Sequence, residues 1–199
     1  MKIEIVSDVI CPWCYIGRRR LAKALELAPE VQVEITWLPF QLNPGMPREG
    51  MPRAEYRKAK FGSVERGREL DARVAGEGRG EGIAFAFERM QRTPNTVAAH
   101  RLIAAAQKEG KGQAAVDALF KAYFENAEDI GDAAVLEKIS SALGIKGEVD
   151  EKEVAALEAS MRGLGIQAVP TFIFDRKFGV SGAHPPEALA QAMREAAAG

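Results

Sequence analysis

Apolar and polar residues alternate near both ends of the chain, and this period of two predicts β-strands. The alternating runs cover residues 2–7 and 31–38 near the start and residues 171–175 and 179–181 near the end. These runs are short and rich in β-branched or aromatic side chains, as is typical of strands. A polar turn separates the last two runs, which predicts a β-hairpin.

Between these strands the spacing of apolar residues becomes helical, with capping residues and glycines at the ends. One helix is predicted over residues 15–28, directly after the first strand, and another over residues 186–197. Residues 53–75 are polar and helix-prone. Four further helices are predicted at residues 96–109, 112–124, 132–143 and 150–164.

Glycine and proline mark the connecting segments. Residues 39–52 contain several turn-forming residues and are expected to form a loop. Glycine alternates with charged residues over residues 76–82, which predicts a flexible loop. A phosphate-binding loop is disfavoured there, because no strand precedes it and no Gly-Lys-Ser/Thr sequence follows. Residues 83–87 are apolar and are expected to be extended.

The elements follow the order β-α-β, a helical block, then β-β-α, which indicates an α/β fold. We predict that residues 1–42 and 165–199 form one domain, and that residues 43–164 form a helical domain inserted into it. The helical block can form one wall of a cleft over the first cysteine. Apolar residues make up 47% of the chain, which is enough for a proper core.

Charge and hydropathy argue against some partners. The net charge of −1 gives no case for nucleic acid or an anionic membrane, and no apolar run approaches the length of a membrane span. The start of the chain does not resemble a signal peptide, because acidic Glu4 stands where an apolar segment would be needed. We therefore expect a cytoplasmic protein with no nucleic-acid or membrane partner.

Cys11 and Cys14 are the chain's two cysteines, and they lie between the first strand and the first helix. Side chains at positions i and i+3 of a helix are neighbours, so the sulfurs can reach disulfide geometry with little backbone movement. Free N–H groups at a helix start favour a thiolate, which makes Cys11 the attacking sulfur and Cys14 the resolving one. Pro12 suits the first helical turn, where an N–H has no intrahelical partner.

Structural alternatives for the cysteines are an inert buried pair and a zinc site. Zinc would also need His100 and His184, whose spacing matches no usual finger or ribbon, so we expect no metal. Because a reducing cytosol disfavours structural disulfides, we interpret the pair as catalytic.

A second feature, Val169-Pro170-Thr171, comes just before the third predicted strand. The bond before Pro170 is either an ordinary trans bond or a cis bond, and the residues alone leave this open.

Several segments together carry a resemblance to a known family, and they lie at residues 7–17, 95–96, 99–102, 165–172 and 181–183. With these segments the chain resembles the FrnE-like group of DsbA-family oxidoreductases, which belong to the thioredoxin superfamily. That group is related to 2-hydroxychromene-2-carboxylate isomerases and kappa-class glutathione transferases. The resemblance implies a thioredoxin fold with a large all-helical insertion between the second and third core strands.

The resemblance also implies roles for individual residues. It implies a cis bond before Pro170, a catalytic position for Pro170 beside Cys11, and strand-like pairing of an extended substrate with the Val169 backbone. The remaining substrate-binding residues are then expected to be Pro12, Trp13 and Thr171.

The chain departs from its relatives in three places. Where this chain has its two cysteines, the isomerases and transferases have a motif similar to Ser-Pro-x-Ser. Where this chain has residues 182–184, they carry a segment that ends in aspartate. Both differences favour dithiol chemistry. Thioredoxins often bury an acid six residues before the first cysteine, where this chain has Ile5. Asp8 and Glu4 are then candidates to accept the Cys14 proton, with a solvated role for either as the alternative.

These features favour a thiol–disulfide oxidoreductase or isomerase acting on protein or small-molecule disulfides, with a thioredoxin or glutathione system as reductant. We expect no cofactor apart from a redox-active Cys11–Cys14 disulfide, and glutathione is left open as a ligand. Two alternatives remain: a glutathione-dependent isomerase or transferase acting on small aromatic compounds, and a redox-sensing binding module. The direction of the redox chemistry is open.

Overall fold

The computed structural model describes residues 1–198, and its elements follow the order expected from the sequence. The strands are β1 (Lys2–Ser7), β2 (Glu34–Pro39), β3 (Met51–Pro52), β4 (Arg92–Thr93), β5 (Thr171–Phe174) and β6 (Phe178–Ser181). The helices are α1 (Pro12–Leu27), α2 (Arg53–Phe61), α3 (Val64–Gly80), α4 (Val97–Lys108), α5 (Gly112–Phe120), α6 (Ala133–Leu143), α7 (Glu151–Gly163) and α8 (Pro186–Ala198). A π-helical turn, Lys121–Glu125, continues α5.

A four-stranded sheet in the order β2-β1-β5-β6 carries the functional site. β1 and β2 run parallel, with Lys2 opposite Glu34, and α1 provides the crossover that parallel strands require. β5 runs antiparallel to β1, and β6 follows it in the predicted hairpin. Because β1 is a central strand, its side chains Ile3, Ile5 and Val6 are almost fully buried.

The helical block packs on this sheet from the β2 side. α4, α5 and α7 all contact β2, while α1 and α8 pack against each other. The predicted α/β fold, a thioredoxin fold with a helical insertion between its second and third core strands, is confirmed. The division at residues 42/43 and 164/165 into two domains stays a prediction.

The loop predicted at residues 76–82 is wrong, because α3 continues to Gly80. Tertiary contacts offset the poor helix propensity of its glycines, each of which costs about 1 kcal/mol relative to alanine. Arg20 of α1 pairs with Glu77 and Glu81 at 2.7 Å each. A side chain at Gly78 would collide with the ring of Phe85, so this position requires glycine.

Other boundaries differ from the predictions by a few residues. The polar stretch at 53–75 is two helices, broken at Gly62, whose φ of +89° favours glycine. The second strand begins at Glu34 rather than at residue 31. Residues 83–87 are irregular rather than extended, and the loop predicted at 39–52 contains β3. Within residues 1–198, no helix is long and apolar enough to cross a membrane.

Candidate redox site

The two cysteines lie where β1 leads into α1. Cys11 is the N-cap residue of α1, with extended backbone angles, and Pro12 is the first helical residue. The Cys11 N–H donates to the Asp8 carbonyl at 3.0 Å, which fixes the turn before the helix. The Cys14 N–H donates to the Cys11 carbonyl at 3.0 Å. Both cysteines therefore lie on the first turn of α1, as the sequence predicts.

The environments of the two sulfurs differ. Both cysteines are free thiols in this structure; Cys11 is 5% exposed and Cys14 is 1% exposed. Burial raises the pKa of the Cys14 thiol well above its ordinary value, and the neighbouring Cys11 raises it further. Contacts with the Ser7 hydroxyl and the Asp8 backbone act in the opposite direction but do not outweigh burial. Cys11 lines a cleft, whereas Cys14 lies behind it.

Pro170 lies over the first turns of α1, next to this pair. The Val169-Pro170 peptide bond is cis, as the resemblance implies. A Cβ added at Gly17 would come within 2.9 Å of the Pro170 Cγ, so helix and loop are in close contact. The Cys11 thiol donates to the Val169 carbonyl at 3.8 Å. The loop that contains Val169 and Pro170 therefore packs directly against Cys11 and the first turns of α1, and together they form one structural unit.

The other predicted binding residues occupy different positions around this unit. Trp13 is 40% exposed, and with Pro12 it lines the cleft at the start of α1. Val169 also lines the cleft. Thr171 is buried, and its hydroxyl donates to the Ala168 carbonyl at 2.8 Å. Thr171 therefore fixes the conformation of the loop before Pro170 through this hydrogen bond. It is not among the described residues that line the cleft.

The cleft runs from Cys11 to the wall formed by α2 and α3, and its volume is about 620 Å³. Its lining is mainly apolar and aromatic, and the aromatic residues are Trp13, Tyr56, Phe61, Phe87, Tyr123 and Phe124. A pocket of this size and character is typical of sites for small organic molecules. The cleft wall that the sequence predicted from the helical block is thus present.

Positive charge is concentrated in the cleft wall. Arg53 and Arg57 both pair with Asp71, so two guanidinium groups share one carboxylate. Burial lowers the pKa of Arg57 to about 10, and the nearby charge of Arg53 contributes. Lys60 and Arg73 also line the cleft. This cluster was missed from the sequence, where residues 53–75 gave only the signal of a polar, helix-prone segment.

The candidate proton acceptors lie in very different places. Asp8 is fully buried, so the solvated alternative for it is wrong; its Oδ2 accepts from the Leu42 N–H at 2.8 Å. Glu4 instead pairs with Arg176 of the β5–β6 turn at 2.6 Å. His100 of α4 is buried, and its Nε2 lies 3.1 Å from the Phe40 carbonyl, as expected for a hydrogen-bonded core histidine. Of the two acids, Asp8 is therefore the one that is buried beside the redox pair, since its carbonyl also accepts the Cys11 N–H.

His184 lies outside this group. It is exposed, and its Nε2 contacts the Ser181 carbonyl at 2.9 Å. Across residues 1–198, no group of three or more His, Cys, Asp or Glu side chains could hold a metal ion.

Comparisons with known proteins agree with this geometry. The family model described as a DSBA-like thioredoxin domain matches residues 2–194. A crystal structure of a probable DsbA oxidoreductase from Streptomyces coelicolor is 30% identical, with a TM-score of 0.87 over 100% of this chain and 90% of that one. The cytosolic disulfide reductase DsbM from Pseudomonas aeruginosa, also solved with GSH, shares the fold at 18% identity, with a TM-score of 0.68 over 98% of this chain and 99% of that one.

A curated sequence relative is an uncharacterized protein, YwbO, from Bacillus subtilis. It is 24% identical over 183 residues, which cover 87% of this chain and 86% of that protein. The match to the family model extends over nearly the whole chain, from the first strand into the last helix. The chain belongs to the DSBA-like thioredoxin domain family.

Proposed function

We propose that this protein is a thiol–disulfide oxidoreductase that works through Cys11 and Cys14. The observation that carries the proposal is the asymmetry of the pair. Cys11 caps α1 and lines the cleft, whereas Cys14 is 1% exposed and its pKa is raised by burial. Stepwise disulfide exchange requires an attacking sulfur that substrate can reach, here the one bordering the cleft, and a resolving sulfur that is protected from solvent.

The reaction proceeds in two exchanges. The Cys11 thiolate attacks one sulfur of a substrate disulfide, forms a mixed disulfide, and releases the other substrate sulfur as a thiolate that takes up a proton. Cys14 then loses its proton and attacks Cys11, and the second substrate sulfur leaves with the electron pair. The products are the Cys11–Cys14 disulfide and a reduced substrate. The same steps in reverse oxidise a dithiol, and isomerisation needs only Cys11.

Substrate binding would use the rim of the cleft. An extended segment bearing a disulfide can lie between Trp13 and the loop before Pro170, with its backbone paired to Val169. The Val169 carbonyl lies 3.8 Å from the Cys11 sulfur, which supports a role in aligning the reacting bond. Pro12 would shape the same rim, and Thr171 would hold the loop through its bond to Ala168.

The charge of the cleft supports a disulfide that bears an anionic group. Arg53, Arg57, Lys60 and Arg73 contribute four positive charges to the lining, and Asp71 and Glu77 contribute two negative charges. The structure of DsbM with GSH makes glutathione a reasonable reductant or substrate to test, alongside a thioredoxin system. The cytoplasmic location expected from the sequence stays a prediction.

A second candidate function is a glutathione-dependent isomerase or transferase. The observation in its favour is the aromatic lining, because rings such as Phe87 and Tyr123 can stack on a small aromatic substrate. In that reaction Cys11 would hold or activate the glutathione sulfur, and Cys14 would be dispensable. The two functions therefore differ in their need for the second cysteine.

The test is turnover of two disulfides, insulin and oxidised glutathione, by wild type, Cys11→Ser and Cys14→Ser, with dithiothreitol as the reductant that regenerates the two thiols. The proposal predicts that wild type reduces at least one of them and that both variants lose multiple turnover. Scrambled ribonuclease, assayed in parallel, reports isomerase activity, for which Cys11 alone suffices. Glutathione-dependent turnover of an aromatic substrate that survives in Cys14→Ser would contradict the proposal and favour the isomerase or transferase.

A further inference from the structure

A group of three buried polar side chains, Ser7, Asp8 and His100, lies behind the redox pair. The two exchange steps give these side chains no role. Ser7, at the end of β1, is 5% exposed, and Asp8 follows it at 0% exposure. His100 of α4 is 4% exposed, and its Nε2 lies 3.5 Å from the Asp8 Oδ1. Uncompensated polar groups are costly in a core, so this concentration needs an explanation.

The Ser7 hydroxyl connects this group to Cys14. It is close enough to the thiol to lower its pKa in part. Among residues 1–198, however, its Oγ has no hydrogen-bond partner of good geometry. A hydroxyl can both donate and accept, so Ser7 can take a proton from one neighbour while passing its own to another.

A small, partly open cavity is lined by both Ser7 and His100. Its volume is about 20 Å³, and Gln107 is a third polar residue in its lining. A cavity needs roughly 10–15 Å³ to hold one water molecule, and a buried water needs two to four polar partners. The site therefore has the size and the polar groups for a single bridging water.

The hydrogen bond made by His100 determines which of its ring nitrogens can accept a proton. Its Nε2 lies 3.1 Å from the Phe40 carbonyl, and since a carbonyl can only accept, Nε2 carries the hydrogen. Nδ1 is then the proton-accepting atom of the neutral ring. The Asp8 Oδ1 lies 3.5 Å from Nε2, so a carboxylate stands beside the imidazolium that protonation would create.

We propose that Ser7, a water in this cavity, and His100 supported by Asp8 form a relay that takes the proton from Cys14 during the resolving step. This inference rests on the proposed oxidoreductase function. The proton leaves the Cys14 sulfur for the Ser7 oxygen, the Ser7 proton passes to the water, and the water gives a proton to His100 Nδ1. The Cys14 thiolate forms the bond to Cys11, and the substrate thiolate leaves with the electron pair of the broken bond. The proton on His100 later returns to solvent.

Few other ionisable groups face the relay. Cys11 lies beside Cys14 on α1, and His100 is the one titratable side chain among the described residues that line the cavity. From α7, Glu158 and Arg162 pair at 2.8 Å and both bond to Gln41, one residue beyond Phe40.

The experiment separates the two exchanges in one reaction. Reduced protein is mixed rapidly with dithiobis(nitrobenzoate), and release of the coloured thionitrobenzoate is followed from pH 5 to 9. The first release reports attack by Cys11, and the second reports resolution by Cys14. The variants are Ser7→Ala and His100→Gln, since glutamine can still donate to the Phe40 carbonyl but cannot be protonated. His184→Gln is the matched control, because His184 also contacts a backbone carbonyl through Nε2 but is exposed.

Loss of the relay should slow the second release by about 100-fold at neutral pH, the lower range for general acid–base catalysis, and leave the first unchanged. The deficit should shrink as pH rises, because hydroxide replaces the lost acceptor. The Ser7→Ala/His100→Gln double variant should be no slower than the slower single variant, since both break one path. An unchanged second release in Ser7→Ala, or equal slowing of both releases, would overturn the relay. A wild-type protein with no second release would instead overturn the oxidoreductase function itself.

Discussion

Gly17 of α1 tests whether the loop before Pro170 is held against the redox helix. A Cβ at this position would lie 2.9 Å from the Pro170 Cγ and 3.3 Å from the Phe172 Cζ. Neither neighbour is the end of a flexible chain, since one belongs to a ring in the loop and the other to a fully buried side chain. Gly17→Ala should therefore push the loop away from α1.

The expected magnitude combines two opposing effects. Overpacking a well-filled site costs about 1–3 kcal/mol, whereas replacing glycine by alanine inside a helix gains about 1 kcal/mol. Gly17→Ala should thus destabilise the protein by about 0–2 kcal/mol. Gly76→Ala in α3 is the matched control, because the nearest atom to its Cβ lies 3.7 Å away, at the end of the flexible Arg79 side chain. The control should stabilise by up to about 1 kcal/mol.

Thermal unfolding measures the difference between these variants. At about 2–4 °C for each kcal/mol in a protein of this size, Gly17→Ala should melt about 2–12 °C below Gly76→Ala. Because Val169 moves with the loop, the attack by Cys11 on dithiobis(nitrobenzoate) should also slow in Gly17→Ala only. Equal stabilisation by both substitutions, with unchanged attack, would refute the close contact between Gly17 and Pro170.

Three further predictions concern the cysteines and two carboxylates. Cys14→Ser should accumulate mixed disulfides on non-reducing gels and Cys11→Ser should not, because only the former keeps attack while losing resolution; equal trapping would reverse or abolish the assigned roles. Asp71→Asn should lower the free energy of urea unfolding by about 3 kcal/mol, since two largely buried arginines lose their shared partner. Asp117→Asn should cost less than about 1 kcal/mol, because that carboxylate is 43% exposed and pairs with one arginine. Hydrogen bonds from the Gly147 N–H, the Lys111 ammonium and the Lys146 N–H lower the pKa of Glu109 from 4.5 to about 2. The contribution of ionised Glu109 to folding stability is therefore complete above pH 4.5 and is lost as the pH falls towards 2. The urea midpoints of wild type and Glu109→Gln should converge over that pH range. A difference between the midpoints that stays constant with pH would contradict this.

The sequence was sufficient to predict the order of the elements along the chain and the redox pair because both depend on local signals. Alternation identifies β1 and the β5–β6 hairpin, and the spacing of Cys11 and Cys14 places both sulfurs on one helical turn. The resemblance supplied what spacing could not, namely the cis bond before Pro170 and its position near Cys11.

The cleft and the buried polar group depend on tertiary contacts, which no local pattern encodes. Arg57 and Asp71 lie on different helices, and their pairing follows from how α2 and α3 pack. Asp8 resembles an ordinary polar residue at a strand end, and it is buried only because the segment that follows β2 and helix α4 close over it. The continuation of α3 past Gly76 was likewise unpredictable, since ion pairs with α1 outweigh the local glycine signal.

Equilibration of the reduced protein in glutathione buffers of increasing oxidising strength tests the central claim most directly. The species present are trapped with acid and identified by intact mass. We expect one two-electron transition from two free thiols to an internal Cys11–Cys14 disulfide, with little glutathione adduct in wild type and one glutathione per chain in Cys14→Ser. A wild-type protein that keeps both thiols in every buffer, or that accumulates glutathione adducts without an internal disulfide, would contradict it.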